Sequence, residues 1–188
     1  MRNLKFDGRY RELILSGRKT ATVRIGRINL RPGDEVLIHS GGYVLGRAVI
    51  KSVEEKAIGE LTDEDAKMDG FRSRGELIDA LKRHYKNIKP DTKVAVVQFE
   101  LKEKFERDIL SSDFPYEGNN PVEIAELALK HLNLLDDDRR LLELFLKAGS
   151  LRKAAYRLGG LNRRYIIREV LRRAYEELKR KGVMGPKL

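Results

Sequence analysis

The 188-residue chain carries no cysteine, no tryptophan, three histidines and a formal net charge of +10 at pH 7. The absence of thiols excludes disulfides, thiolate metal sites and cysteine nucleophiles, and the wide spacing of His39, His84 and His131 gives no reason to expect a metal site. No window approaches the roughly 18 uninterrupted apolar residues of a membrane span, and the charged, alternating start from Met1 to Arg11 matches neither a signal nor a transit peptide, so a cytoplasmic protein without a membrane role is expected.

In chain order, Tyr10 to Ser16 reads as a short helix with Leu13 and Ile14 inward, ended by Gly17. The period then changes to two: Ala21, Val23 and Ile25 fall on one face and Thr20, Thr22 and Arg24 on the other, the alternation of a half-buried strand. Pro32-Gly33-Asp34 reads as a turn, Glu35 to Ser40 as a strand, Gly41-Gly42 as a tight hairpin and Tyr43 to Val53 as the returning strand. Thr62 is the expected N-cap of a helix with acids in its first turn, interrupted by Gly70. Ser73 caps the next, with Glu76 as capping-box partner and Leu77, Ile78 and Leu81 as its apolar stripe. Lys93 to Phe105 follows as a strand, and a closed or nearly closed small barrel with helical insertions would use all of these strands.

Residues 109–121, rich in turn formers and without a period, are the expected linker, which predicts domains at 1–108 and 122–188. Only helices are predicted beyond it: Val122 to Leu132, Asp137 to Ala148, Leu151 to Leu158 and Arg163 to Lys181. The predicted class is therefore α+β, a small β domain followed by an all-α one.

Charge is distributed unevenly between the two. From Gly149 to Leu188, twelve Lys/Arg stand against three Glu, which is +9 and leaves +1 for the rest of the chain. A block of this kind usually meets phosphate. Within it, the segment from Gly149 to Gly160 reads as the first helix and turn of a helix-turn-helix, with Ala154 or Ala155 allowing close packing. Arg163, Arg164, Arg168 and Arg172 recur at helical spacing along the next helix, and with Arg152 and Lys153 they form the expected nucleic-acid-binding surface. These features are common to RNA and DNA binders, and no dimer seam is visible. The abundance of Lys, Arg and Glu also matches heat-adapted proteins.

The most specific string is Gly17-Arg18-Lys19-Thr20-Ala21-Thr22-Val23-Arg24. With Pro32-Gly33-Asp34, the stretch from Ala66 to Gly70-Phe71 and the strand ending near Phe99, it resembles the ASCH family of the PUA-like superfamily over roughly residues 3 to 104. The resemblance implies a small PUA-like β-barrel with a cleft along the polar face of the Thr22 strand, in a domain commonly proposed to bind RNA. Arg18, Lys19, Thr22 and Arg24 are the expected cleft residues, a constellation that attracts an anion, whether a nucleotide or another anionic small ligand.

Some ASCH relatives look like amidohydrolases that deacylate an acetylated cytidine with a lysine, a threonine three residues later and a downstream glutamate. Lys19 and Thr22 match the first two. Asp69 falls where the glutamate is expected, with a reach shorter by one methylene, and Glu64 lies off the spacing. The resemblance thus implies Lys19, Thr22 and Asp69 as a catalytic set for an acylated nucleoside, as the alternative to a nucleic-acid-binding module. No Gly-rich Lys-Ser/Thr phosphate loop is present, and no cofactor is expected.

Overall fold

The computed structural model describes residues Arg2 to Lys187. It divides into two units, Met1–Asp108 and Ile109–Leu188. The first is a mixed sheet with short helices, the second is helical, and the class is α+β.

The sheet contains β1 (Arg2–Phe6), β2 (Ala21–Ile25), β3 (Glu35–Ser40), β4 (Tyr43–Ala57) and β5 (Lys93–Leu110) in the order β1-β3-β4-β5-β2. β1 runs parallel to β3, β3 antiparallel to β4, and β2 antiparallel to β5. The alternation along β5 explains its interior place: Ala95, Val97 and Phe99 pack into one cluster with Leu4, Val36 and Ile50, while Val94 and Val96 pack into another with Ala21, Val23, Leu77 and Leu81. A strand with apolar residues on both faces has to be covered on both.

Gly46 in β4 is required by a close approach. At its φ of +159°, a Cβ would lie 1.9 Å from the Glu103 carbonyl oxygen of β5, so only glycine lets the two backbones meet.

The expected barrel is not closed. β1 and β2 are the two edges of the sheet, and no strand pairing joins them among the described residues. Three short helices lie among the strands: α1 (Arg11–Leu15), α2 (Asp63–Met68) and α3 (Arg74–His84). Thr62 caps α2 by accepting from Asp65 N–H, and Ser73 caps α3 by accepting from Glu76 N–H. The Glu76 carboxylate differs from the expected capping box: it accepts from Arg72 N–H at 2.8 Å, one residue before the cap.

The second unit comprises α4 (Pro121–His131), α5 (Asp136–Ala148), α6 (Leu151–Arg157) and α7 (Arg164–Arg180) around Ile124, Leu142, Phe145, Ala154, Ile167 and Leu171. Within the stretch expected as a linker, Tyr116 belongs to this core. Tyr116 and Asn119 are buried, and Asn119 Nδ2 donates to the Tyr116 carbonyl at 3.0 Å and the Gly185 carbonyl at 2.9 Å. No helix among the described residues is long and apolar enough to cross a membrane.

Candidate functional site

The open seam of the sheet is occupied by a cleft. Edge strands expose backbone groups that a barrel would pair, and here side chains satisfy them. Asp69 Oδ2 accepts the outward N–H of Val23 in β2 at 2.9 Å, and Arg24 Nη2 of β2 donates to the Lys5 carbonyl of β1 at 2.8 Å. The cavity between them holds about 240 Å³ and is lined by Phe6, Tyr10, Lys19, Thr22, Arg24, Asp69, His84 and Tyr85, among others.

Asp69 follows α2 as its C-cap, and Lys19 precedes β2. Directly after Asp69, Gly70 turns the chain at φ +88°, a backbone conformation that favours glycine. Lys19 Nζ then donates to the Asp69 carboxylate and, at 2.6 Å, to the Asp69 carbonyl. The two residues are only 2% and 4% exposed. Burial pushes the lysine down and the aspartate up, each toward its neutral form, and their mutual attraction opposes this.

Aromatic faces complete the wall. Lys19 Nζ lies 4.6 Å from the Tyr10 ring centroid and 5.3 Å from that of Phe6. The Arg24 guanidinium sits 5.7 Å from the Phe6 centroid, where a cation is attracted to the ring. Thr22, buried but lining the cavity, has no hydrogen-bond partner for its hydroxyl among the described residues.

Three of the four expected cleft residues, Lys19, Thr22 and Arg24, thus line one cavity, together with Asp69 of the expected catalytic set. Arg18 does not. It is exposed in the bend before β2, its Nε donates to Ser16 Oγ at 3.2 Å, and it does not line the cleft. The shorter Asp69 nevertheless reaches Lys19 and the β2 backbone. Glu64 is exposed. Sequence reasoning missed Phe6, Tyr10 and Tyr85, whose one visible signal was aromatic character beside cationic residues.

In the second unit the expected cations are all exposed, on α6, at the N-cap of α7 (Arg163) and on α7, while Ala154 and Ala155 are fully buried. Residues 151–168 contain Arg152, Lys153, Arg157, Arg163, Arg164 and Arg168 and no carboxylate. Tyr156 and Tyr165 are exposed on the same helices, at 56% and 63%. Further along α7 three cations are engaged: Arg172 pairs with Glu169 at 2.6 Å, Arg173 with Asp138 at 2.8 Å and Lys179 with Glu117 at 2.7 Å. Arg172, expected on the binding surface, therefore shares its charge with an internal partner.

A family model of the ASCH domain matches residues 2–103. The chain belongs to the ASCH family. Its ASCH unit is therefore the one that holds the cleft. Among solved structures the chain is similar to a protein from Enterococcus faecalis V583, with 20% identity over 53% of this chain and 70% of that one, TM-score 0.49. It is also similar to an ASCH protein from Zymomonas mobilis, with 16% identity over 61% and 76%, TM-score 0.48. An ASCH domain from Lactobacillus crispatus gives 16% identity over 48% and 69%, TM-score 0.45. No curated protein matches. The α4 to α7 unit lies outside the matched ASCH residues.

Proposed function

We propose that this ASCH protein binds nucleic acid, RNA or DNA, with α6 and the start of α7 gripping the backbone and the ASCH cleft holding a nucleoside unit. The observation that carries this is the run 151–168, six exposed cations without a carboxylate, interspersed with two exposed tyrosines. Lysine and arginine displace the counterions of phosphate, and tyrosine faces stack on bases. The helix-turn-helix reading draws support from the same place: α6 packs through Ala154 and Ala155, Gly159 and Gly160 turn the chain at φ +103° and +139°, and α7 follows with Arg164 and Arg168 outward.

Fluorescence anisotropy with labelled single-stranded RNA, single-stranded DNA and duplex DNA tests it. Replacing Arg163, Arg164 and Arg168 by Gln is expected to weaken binding and to lower the salt slope by roughly 2 to 3. Unaltered affinity and slope would overturn the assignment.

A second reading, an amidohydrolase acting on an acetylated cytidine, is favoured by the convergence of Lys19, Thr22 and Asp69 in one cavity. In that reaction the Thr22 oxygen attacks the acyl carbon. Lys19 takes the threonine proton as it passes one of its own to Asp69, whose affinity for a proton burial has raised. The lysine N–H not engaged by Asp69 is the donor available to the developing oxyanion. The amine departs with the proton returned through the pair, and water hydrolyses the acyl-threonine. Release of cytidine from acetylcytidine, lost in Thr22→Val and Lys19→Ala, would establish it, and absence of turnover in the intact protein would eliminate it.

A further inference from the structure

The cleft continues past Arg24. Arg24 and Tyr85 line it and also line a second groove, of about 430 Å³, whose other walls include Arg2, Asn3, Arg27 and Asn29. The two cavities differ in charge. In the cleft the positive charge of Lys19 is cancelled by Asp69, and that of Lys5 is set against Asp7 on the same wall, which leaves Arg24, shared with the second groove, as the uncompensated cation. No carboxylate lines the second groove among the described residues. There Arg2 is engaged by Asp34 at 2.6 Å, whereas neither Arg24 nor Arg27 has a carboxylate within ion-pair distance among the described residues. Net attraction for an anion therefore lies one step outside the Lys19 pocket, at the Arg24 and Arg27 end.

Volume favours the same division. About 240 Å³ is below the roughly 300–1,000 Å³ of sites that enclose a whole small-molecule ligand. A base with its sugar fills such a space, and a group attached to it has to emerge. It would emerge past Tyr85, an aromatic side chain that is 37% exposed and lines both cavities.

We propose that the cleft and the groove form one nucleotide site, with the nucleoside in the cleft and its phosphate in the groove on Arg24 and Arg27. The inference rests on the cleft being a nucleoside-holding site, as proposed above. It assigns a specificity: a phosphorylated nucleotide, free or within a strand, is bound in preference to the bare nucleoside. Guanidinium groups suit this role because their planar fork matches phosphate oxygens.

Isothermal titration of the full chain with the four ribonucleosides, their 3′- and 5′-monophosphates and inorganic phosphate tests it. For at least one base the monophosphate is expected to bind roughly tenfold or more tightly than its nucleoside, the increment of one charge-assisted contact. That increment should disappear in Arg27→Gln, with nucleoside affinity unchanged, and persist in the Arg163, Arg164 and Arg168 to Gln variant. Equal affinity for nucleoside and monophosphate would overturn the phosphate site while leaving the cleft reading intact, as would an increment that survives Arg27→Gln. If no nucleoside or nucleotide binds, or if bound ligand is indifferent to both Thr22→Val and Tyr85→Ala, the cleft reading falls as well. A dinucleotide that matches the monophosphate identifies a strand as the phosphate source, and one that fails to bind identifies the free nucleotide; either supports the assigned site.

Discussion

Replacing Asp69 by Asn isolates the buried pair on which the cleft is built. The amide can still accept the Val23 N–H but no longer neutralises Lys19, which is 2% exposed. Removing one partner of a buried pair typically costs ~3–5 kcal/mol, because an uncompensated charge is left behind. An independent bound agrees. The lysine can escape by releasing its proton, which costs ~1.36 kcal/mol per pH unit between the working pH and its ordinary value near 10.4, hence at most roughly 4.6 kcal/mol at pH 7 and roughly 2 kcal/mol at pH 9. The sign is fixed by linkage. In the variant the folded lysine is pushed below its unfolded value, so the unfolded chain binds the extra proton and stability rises with pH over that interval. Urea denaturation of the full chain at pH 7 and pH 9 should therefore show a deficit that shrinks by about half or more. Adding Lys19→Met to Asp69→Asn removes both charges and should restore most of the loss, since apolar replacement of a buried pair is often neutral. A deficit under ~1 kcal/mol at pH 7, or one that is the same at both pH values, would refute the picture of a sealed pair.

Gly46→Ala should be among the most damaging single changes, exceeding the usual ~1–3 kcal/mol of overpacking, because the new methyl meets the backbone oxygen of Glu103 and not a yielding side chain; thermal melting reads it. Ala155→Leu should cost ~1–3 kcal/mol by wedging a fully buried contact of α6, measured by urea midpoint. The Glu117 carboxylate is held below its ordinary value by hydrogen bonds from Lys179 and Tyr175. Its contribution is present above the unfolded value and is lost as pH falls through the lowered folded one, so Glu117→Gln should flatten the acid limb of the stability curve below about pH 4.3 and leave the neutral region less stable.

Local signals made much of the fold legible. Strands β2, β3 and β5 were visible as alternation or as paired apolar faces, the N-caps Thr62 and Ser73 as the residue types that satisfy a first-turn N–H, and α4 to α7 as apolar periods of 3.6. What escaped was non-local. β1 is a five-residue edge whose partner, β3, lies some thirty residues away in parallel, and nothing in Arg2 to Phe6 announces that pairing. Because β1 was missed, so was the seam between β1 and β2, and with it Phe6 and Tyr10 as walls of the cleft. The spacing of Lys19 and Thr22 identified two site residues, but the strand pattern alone gave no sign that Lys19 would be sealed against Asp69, since an ion pair across fifty positions is a property of the folded chain. Arg172 has the same lesson on α7: three residues after Glu169, it is within reach of a partner that its spacing from the other arginines conceals.

The open seam also determines what kind of ligand chemistry this ASCH unit can support. Had β1 and β2 paired, their edge groups would have been consumed by the ladder and the space between them closed. Instead Asp69 and Arg24 each spend one contact on an edge strand, which holds their side chains at fixed positions in the gap. Asp69 is then committed twice, to Val23 and to Lys19, while Arg24 keeps guanidinium donors beyond its bond to the Lys5 carbonyl. The same two edge contacts thus make one end of the cleft electrically closed and the other open to a phosphate. It follows that Arg24→Lys should disturb nucleotide binding more than the retained charge suggests. A lysine cannot at once hold the β1 carbonyl in a planar fork and present a second edge to an anion, so loss of the phosphate increment with nucleoside affinity largely kept is the expected titration result, and an undiminished increment would show that charge alone is sufficient there.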